Sequence, residues 1–220
     1  MLFNDKLYYR YEKNINSNTL VVLLHGLTMS CSIEPINSLF NVLKEKYSVL
    51  TFDFIGHGNS YGKTQEITIK KELEDAKEII DYYKNDYEKM ILIGHSLGGV
   101  IANNLAKIYH PEKNILLGPA FNIYNDLLEN IFFGKTVKEN KILKIWDMKF
   151  SYDFFIDAKN KTYFDIYPNN TIIIHGRKDK IVPIDSIMVF KDEIEVITLN
   201  DDHEFTNDLQ ALIVTILNIL

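Results

Sequence analysis

Short runs of branched apolar residues recur along the chain, separated by longer amphipathic stretches. The runs fall at residues 20–24 (LVVLL), 48–52 (SVLTF), 90–93 (MILI), 115–117 (ILL), 171–174 (TIII) and 194–199 (IEVITL). Most lack the apolar–polar alternation of a strand with one wet face, and most end at Gly, His or Asp. Buried parallel strands have this character, because helices cover both faces of their sheet. The intervening stretches predict helices over 34–45, 66–84, 97–109, 184–190 and 204–220. In 66–84, Leu73, Ala76, Ile79, Ile80 and Tyr83 recur on one side at the 3.6-residue period, with charges on the other. Strand, helix, strand in that order predicts an α/β fold, a mainly parallel doubly wound sheet with right-handed crossovers. Residues 7–11 (LYYRY) predict an antiparallel edge strand.

The rhythm breaks over 120–167, which has no clear strand–helix unit yet is dense in aromatics: Phe121, Tyr124, Phe132, Phe133, Trp146, Phe150, Tyr152, Phe154, Phe155, Tyr163, Phe164 and Tyr167. A structureless loop of that length does not suit a compact domain. The segment reads as a small inserted lid subdomain, with 1–119 and 168–220 as the core. Its aromatics either build a small core of their own or supply an apolar wall over the strands' C-terminal ends.

Composition narrows the class. The 220 residues are 46% hydrophobic and 25% charged, with 24 Lys and Arg against 30 Asp and Glu, a formal net charge of −6. That excludes a disordered, collagen-like or coiled-coil chain and argues against a nucleic-acid partner. Cys31 is the single cysteine, so no intrachain disulfide forms, which fits a reducing compartment. The first residues lack the apolar stretch of a secretory signal. The apolar stretch 209–220 is shorter than the roughly 20 residues a bilayer span needs. A cytoplasmic protein with no membrane span is the expectation. No Cys/His spacing for zinc, no phosphate loop and no G-x-G-x-x-G after the first strand is present, so no cofactor or metal is expected.

The chemistry concentrates in Gly94-His95-Ser96-Leu97-Gly98, a G-x-S-x-G motif with a predicted strand before it and a predicted helix after it. Such a strand-to-helix turn strains the serine backbone and exposes its hydroxyl, while the glycines avoid Cβ collisions across the turn. A serine hydroxyl needs a base, and the base needs an orienting acid, in the chain order Ser, Asp/Glu, His for this kind of sheet. His175 and His203 are the histidines late enough to serve. Asp179 follows a predicted strand's C-terminal end, and His203 follows the next strand, so Ser96, Asp179 and His203 come off one edge of the sheet. Asp201 and Asp202 are weaker rivals for the acid that more plausibly shape the His203 loop. The Leu97 N–H and the Leu27 N–H, the latter in the His25-Gly26-Leu27-Thr28 loop, are the candidate oxyanion donors. Asp53, Gly56, His57 and Gly58 read as a tight turn with Asp53 accepting from backbone N–H groups, in preference to a second acid–base pair. Cys31 reads as a small buried apolar residue.

Five blocks carry a family resemblance: LLHGLT (23–28), FDFIGHGNSYG (52–62), IGHSLGG (93–99), HGRKDKIVP (175–183) and DDHEF (201–205). In this order the chain resembles the α/β-hydrolase superfamily. Within it the chain is similar to compact bacterial carboxylesterases, including the cinnamoyl/feruloyl esterase type, and to monoacylglycerol-lipase-like proteins. The resemblance implies Ser96 as nucleophile, Asp179 as acid, His203 as base, and Leu27 and Leu97 as oxyanion donors. The segment between Pro119 and Thr171 matches no subgroup pattern. The expected activity is that of a serine carboxylesterase cleaving small or medium esters through an acyl-enzyme. A monoacylglycerol lipase, thioesterase or aminopeptidase, with Glu129 and Glu139 available to hold a substrate ammonium, stays open, as does a non-catalytic small-ligand binder. Oligomeric state stays open too.

Overall fold

The structure, a computed structural model, describes residues 1–126, 142–145 and 148–220. The chain runs β1 (Leu2–Phe3), β2 (Leu7–Glu12), β3 (Thr19–Leu24), α1 (Ile36–Leu43), β4 (Ser48–Phe52), α2 (Ile69–Tyr83), β5 (Lys89–His95), α3 (Leu97–Tyr109) and β6 (Lys113–Leu117). It continues through α4 (Ile123–Asp126), β7 (Leu143–Ile145), β8 (Met148–Phe150), α5 (Tyr152–Asp157), β9 (Thr171–Gly176), α6 (Asp185–Met188), β10 (Glu195–Leu199) and α7 (Leu209–Ile219). Eight strands form one sheet in the order β1-β2-β4-β3-β5-β6-β9-β10, and β7 pairs with β8 separately. From β4 to β10 all neighbours are parallel; β2 is antiparallel to β4 and to β1. The predicted strand over 7–11 is therefore antiparallel, but second from the edge, because β1 covers its outer side.

The sheet divides the core in two. Leu20, Val22 and Leu24 of β3 face the side covered by α2 and α3, where they join Ile69, Ile79, Val100 and Leu105. Val21 and Leu23 face the opposite side, under Ile36 and Leu39 of α1 and Leu212 and Ile216 of α7. Both faces of β3 are thus dry, which is why its sequence shows no alternation. Phe150, Phe154 and Phe155, from the segment after β6, are fully buried and belong to the α2–α3 side of this core. Phe132, Phe133, Trp146, Glu129 and Glu139 lie outside the described residues.

Four of the five predicted helices are shorter than their sequence outlines, α6 and α7 proportionally the most. The C-terminal helix starts at Leu209, not 204, because Asp208 is its N-cap, accepting from the Ala211 N–H at 3.0 Å. The predicted helix 184–190 is a single turn, α6. Helix α2 follows its cap Thr68, which accepts from Lys71 N–H, but its apolar stripe is not purely apolar. Glu72 and Asp75 lie on the buried face, 1% and 5% exposed. Burial pushes Asp75 up to about 6, against the hydrogen bonds it accepts from Ile55 N–H and Tyr61 Oη. Burial, with repulsion from Asp75 and Asp157, holds Glu72 well above the usual carboxylate range, and its Oε2 finds no partner among the described residues. Among those residues no helix is long and apolar enough to cross a membrane.

A carboxyl with a raised native pKa contributes most below its unfolded value and loses that contribution as pH rises through the native value. Glu72→Gln should therefore gain stability on the wild type as pH rises above about 5, read as urea midpoints at pH 5 and pH 8.5. Parallel pH dependences of the two proteins would contradict a strained buried Glu72.

Candidate active site

Strand order places the site. The chain leaves β3 for β4 on one side and returns to β5 on the other, so the loops after β3 and β5 part at a topological switch point. Crevices at such points, beyond the strands' C-terminal ends, are where parallel sheets bind ligands. The β3 loop carries Gly26 and Leu27, and the β5 turn carries Ser96. A Cβ added at Gly26 would lie 3.0 Å from the Ser96 Cβ, so the two loops are in contact.

Ser96 sits between β5 and α3 at φ 54° and ψ −117°, a left-handed conformation that side chains rarely adopt. Four backbone bonds hold it: Ser96 N–H to the Leu117 carbonyl at 2.8 Å, and Gly99, Val100 and Ala120 N–H to the Ser96 carbonyl at 3.0, 3.4 and 3.2 Å. The close approach of β5 and the end of β3 to α3 requires the flanking glycines. A Cβ at Gly94 would collide with the Gly98 backbone, and one at Gly98 with the Leu24 and His25 carbonyls.

The three predicted residues come together at this rim. Ser96 Oγ donates to His203 Nε2 at 2.9 Å, and His203 Nδ1 donates to Asp179 Oδ2 at 2.6 Å. The other Asp179 oxygen accepts the Ile181 and Val182 N–H groups, each at 2.8 Å. Burial raises the Asp179 pKa, but the His203 bond and charge and the two amides outweigh it, and the carboxyl stays ionised below its ordinary value. His203 is 5% exposed, while Ser96 is only half-buried. The arrangement is a hydroxyl, an imidazole and a carboxylate in a hydrogen-bonded row, with the hydroxyl end open.

The rivals for the acid act differently. Asp201 is fully buried and accepts from Asp202 N–H, Asn207 N–H, Asn207 Nδ2 and Asp208 N–H at 2.9 to 3.1 Å. Burial raises its pKa, and those donors more than offset it, leaving it below the usual value. It builds the loop that carries His203. Asp202 Oδ2 takes the Asn207 side chain at 2.6 Å. His175 is buried and donates from Nε2 to the Val182 carbonyl at 3.1 Å, supporting the Asp179 loop. Asp53 accepts from Cys31 and Asn59 N–H at 2.7 and 2.9 Å, as its turn role predicts. Cys31 is fully buried, and burial, with the Asp53 charge, pushes its thiol up to about 12.

One contact was hidden in the motif itself. His95, directly before Ser96, donates from Nε2 to the His203 carbonyl at 2.7 Å. It thereby ties the strand that ends at Ser96 to the loop that carries His203. Burial, with repulsion from His203, pulls its pKa down to about 3, so it is a neutral fixed donor. Among the described residues no group of three or more His, Cys, Asp or Glu could hold a metal ion.

A sequence profile of the Hydrolase_4 family, described as serine aminopeptidase, S33, matches residues 16–149. The chain belongs to this family. Among curated proteins it is 31% identical over 195 residues to the mitochondrial palmitoyl-protein thioesterase ABHD10 of Pongo abelii, an alignment covering 77% of this chain and 62% of that protein. This family member thus spans less than two thirds of that relative's length. Among solved structures, Est1E from Butyrivibrio proteoclasticus with ferulic acid bound superposes with a TM-score of 0.81 at 22% identity, covering 96% of this chain and 92% of that one. The monoacylglycerol lipase of Paleococcus ferrophilus superposes with a TM-score of 0.72 at 19% identity, covering 98% and 100%. The fold is that of the α/β-hydrolases, shared with an esterase and a lipase among the solved structures.

Asp201→Ala orphans the donors of the His203 loop and should cost about 2 kcal/mol or more at pH 7. Because the native Asp201 pKa is lowered, its contribution is present above the unfolded value, near 3.8, and is lost as pH falls through the native value. The gap in urea midpoint between the two proteins should therefore close on acidification below about pH 4. A gap independent of pH would contradict the ionised role.

Proposed function

We propose that this protein is a serine carboxylesterase that hydrolyses small or medium ester substrates through an acyl-enzyme. The observation that carries the proposal is the Ser96–His203–Asp179 hydrogen-bonded row at the switch point. His203 takes the Ser96 proton at Nε2 as Oγ attacks the ester carbonyl, giving a tetrahedral oxyanion. The oxyanion is held by the Leu97 N–H, a first-turn helix amide with no acceptor inside its own helix, and by the Leu27 N–H. The intermediate collapses as His203 returns the proton to the departing alcohol. Water, deprotonated by the same nitrogen, then cleaves the acyl group from Ser96. Asp179 holds the imidazole in the Nδ1–H tautomer and stabilises its charged form.

The segment 120–167 supplies the acyl wall in this reading. It begins at Ser96, where Ala120 N–H bonds the Ser96 carbonyl, and its described residues Phe121, Tyr124, Ala158 and Phe164 line an open cavity of about 350 Å³. A thioester is the second substrate class, favoured by the 31% identical palmitoyl-protein thioesterase. The same row of groups serves it, since a thiolate leaves more readily than an alkoxide. No nucleic acid enters the scheme.

Ser96→Ala should lower turnover of a short-chain aryl ester by at least about a thousandfold and abolish fluorophosphonate labelling, with an unchanged urea midpoint. Equal activity in wild type and Ser96→Ala would end the proposal, and a wild type inert to both ester and probe would favour the binder. Asp179→Asn should lower kcat by about 10⁴ with little change in KM, through the wrong imidazole tautomer. A kcat within about tenfold of wild type would remove Asp179 from the mechanism.

A further inference from the structure

We propose that His57 is a positioning residue for the oxyanion: from a separate loop, it locks the 25–28 backbone in the conformation that aims the Leu27 amide at the charge developing beside Ser96. The inference rests on the serine-hydrolase reading above.

Leu27 lies between two peptide planes, and a histidine grips each. His25 Nδ1 donates to the Gly26 carbonyl at 2.8 Å. That carbonyl shares its planar peptide unit with the Leu27 N–H and points the opposite way, so holding one aims the other. The next plane ends at Thr28, whose N–H donates to His57 Nε2 at 3.1 Å. Thr28 is β-branched yet sits at φ 65°, a conformation such residues avoid unless their surroundings impose it. Two contacts reward this conformation: the His57 acceptor, and the Met29 N–H bond to the Gly26 carbonyl at 3.2 Å that closes the 26–29 turn. The grip is mutual, since His25 Nε2 accepts the Phe54 N–H at 3.1 Å, and the two rings lie 5.1 Å apart.

His57 is built for a fixed role. It is 2% exposed. Its Nδ1 donates to the Ile55 carbonyl at 3.0 Å, which leaves Nε2 as the acceptor. Behind it, Glu72 Oε1 lies 3.8 Å from Nδ1. Burial, with repulsion from His25, pulls the His57 pKa down to about 3, so Nε2 keeps its lone pair wherever a neutral catalytic imidazole can work. The ring therefore acts as a constant acceptor that orients a backbone donor.

Two polar variants separate this role from general structural support. Asparagine can mimic Nδ1 and keep the Ile55 bond, but it cannot reach the Thr28 N–H. Glutamine places an oxygen where Nε2 stands. His57→Asn should lower kcat on an aryl ester by roughly tenfold to a hundredfold, with KM within about twofold and phosphonylation of Ser96 slowed by a similar factor. His57→Gln should stay within about threefold of wild type in all three. In the wild type, NMR should detect a scalar coupling across the Thr28 N–H···Nε2 bond, whether or not either variant folds. A wild-type kcat in His57→Asn, an equal loss in both folded variants, or no such coupling would overturn the inference. If the wild type turns over ester and labels while His57→Asn matches it, only this inference fails. If the wild type does neither, the serine-hydrolase reading fails and takes the inference with it.

Discussion

A serine held at positive φ between a strand and a helix is the constraint on which the rest of the structure depends. At φ 54° the Ser96 backbone is strained, and strain of that kind persists only where surroundings over-determine it. The surroundings here are specific. Gly94 lets β5 and Gly98 lets the end of β3 approach α3 to backbone contact, and the Leu117 carbonyl and the Ala120 N–H fix the Ser96 peptide groups from β6 and the segment after it. The helix that follows is anchored by Val100, Ile101, Leu105 and Ala106, all fully buried. The free energy of a large apolar core is thereby focused on one exposed hydroxyl.

Around that turn, buried polar groups act as fixed dipoles more than as titrating charges. His25, His57 and His95 are each held near pKa 3 to 4, chiefly by burial, and each bonds a backbone group of the loops that meet at Ser96. Asp53 and Asp201 do the same with carboxylates, accepting two and three backbone amides respectively. Such groups cost desolvation and are tolerated because they are satisfied. What they provide is preorganisation: donors and acceptors held in fixed directions, which the proposed acyl transfer would use as charge develops. Exceptions among the described residues include His95 Nδ1, His175 Nδ1 and Glu72 Oε2, buried atoms without a partner, the last placed directly behind His57.

Much of this was legible in the residues. Dry parallel strands announce themselves as short branched runs, so β3, β4 and β9 begin within a residue of their sequence outlines, and α3 has the bounds its pattern predicts. Ser96, Asp179 and His203 could be read because strand-end position and chain order are written in sequence. The buried roles of Glu72 and Asp75 could not, since a helical period records spacing and not which neighbours neutralise a charge. His57 looked like a turn residue because its partner, Thr28, lies 29 positions away across the sheet. The late start of α7 had a signal, the Asn207-Asp208 pair ahead of the apolar run, but Glu204 and Phe205 masked it by continuing the polar–apolar pattern.

The central claim is that Ser96 carries the acyl group during turnover. Stopping the wild-type reaction on an aryl ester by rapid acid quench, then mapping the acylated peptide by mass spectrometry, reads this directly. The account predicts one acyl group, on the peptide containing Gly94-His95-Ser96-Leu97-Gly98 and located at Ser96. Acyl transfer to another residue, or turnover with no acylated protein even when deacylation is slowed, would contradict it.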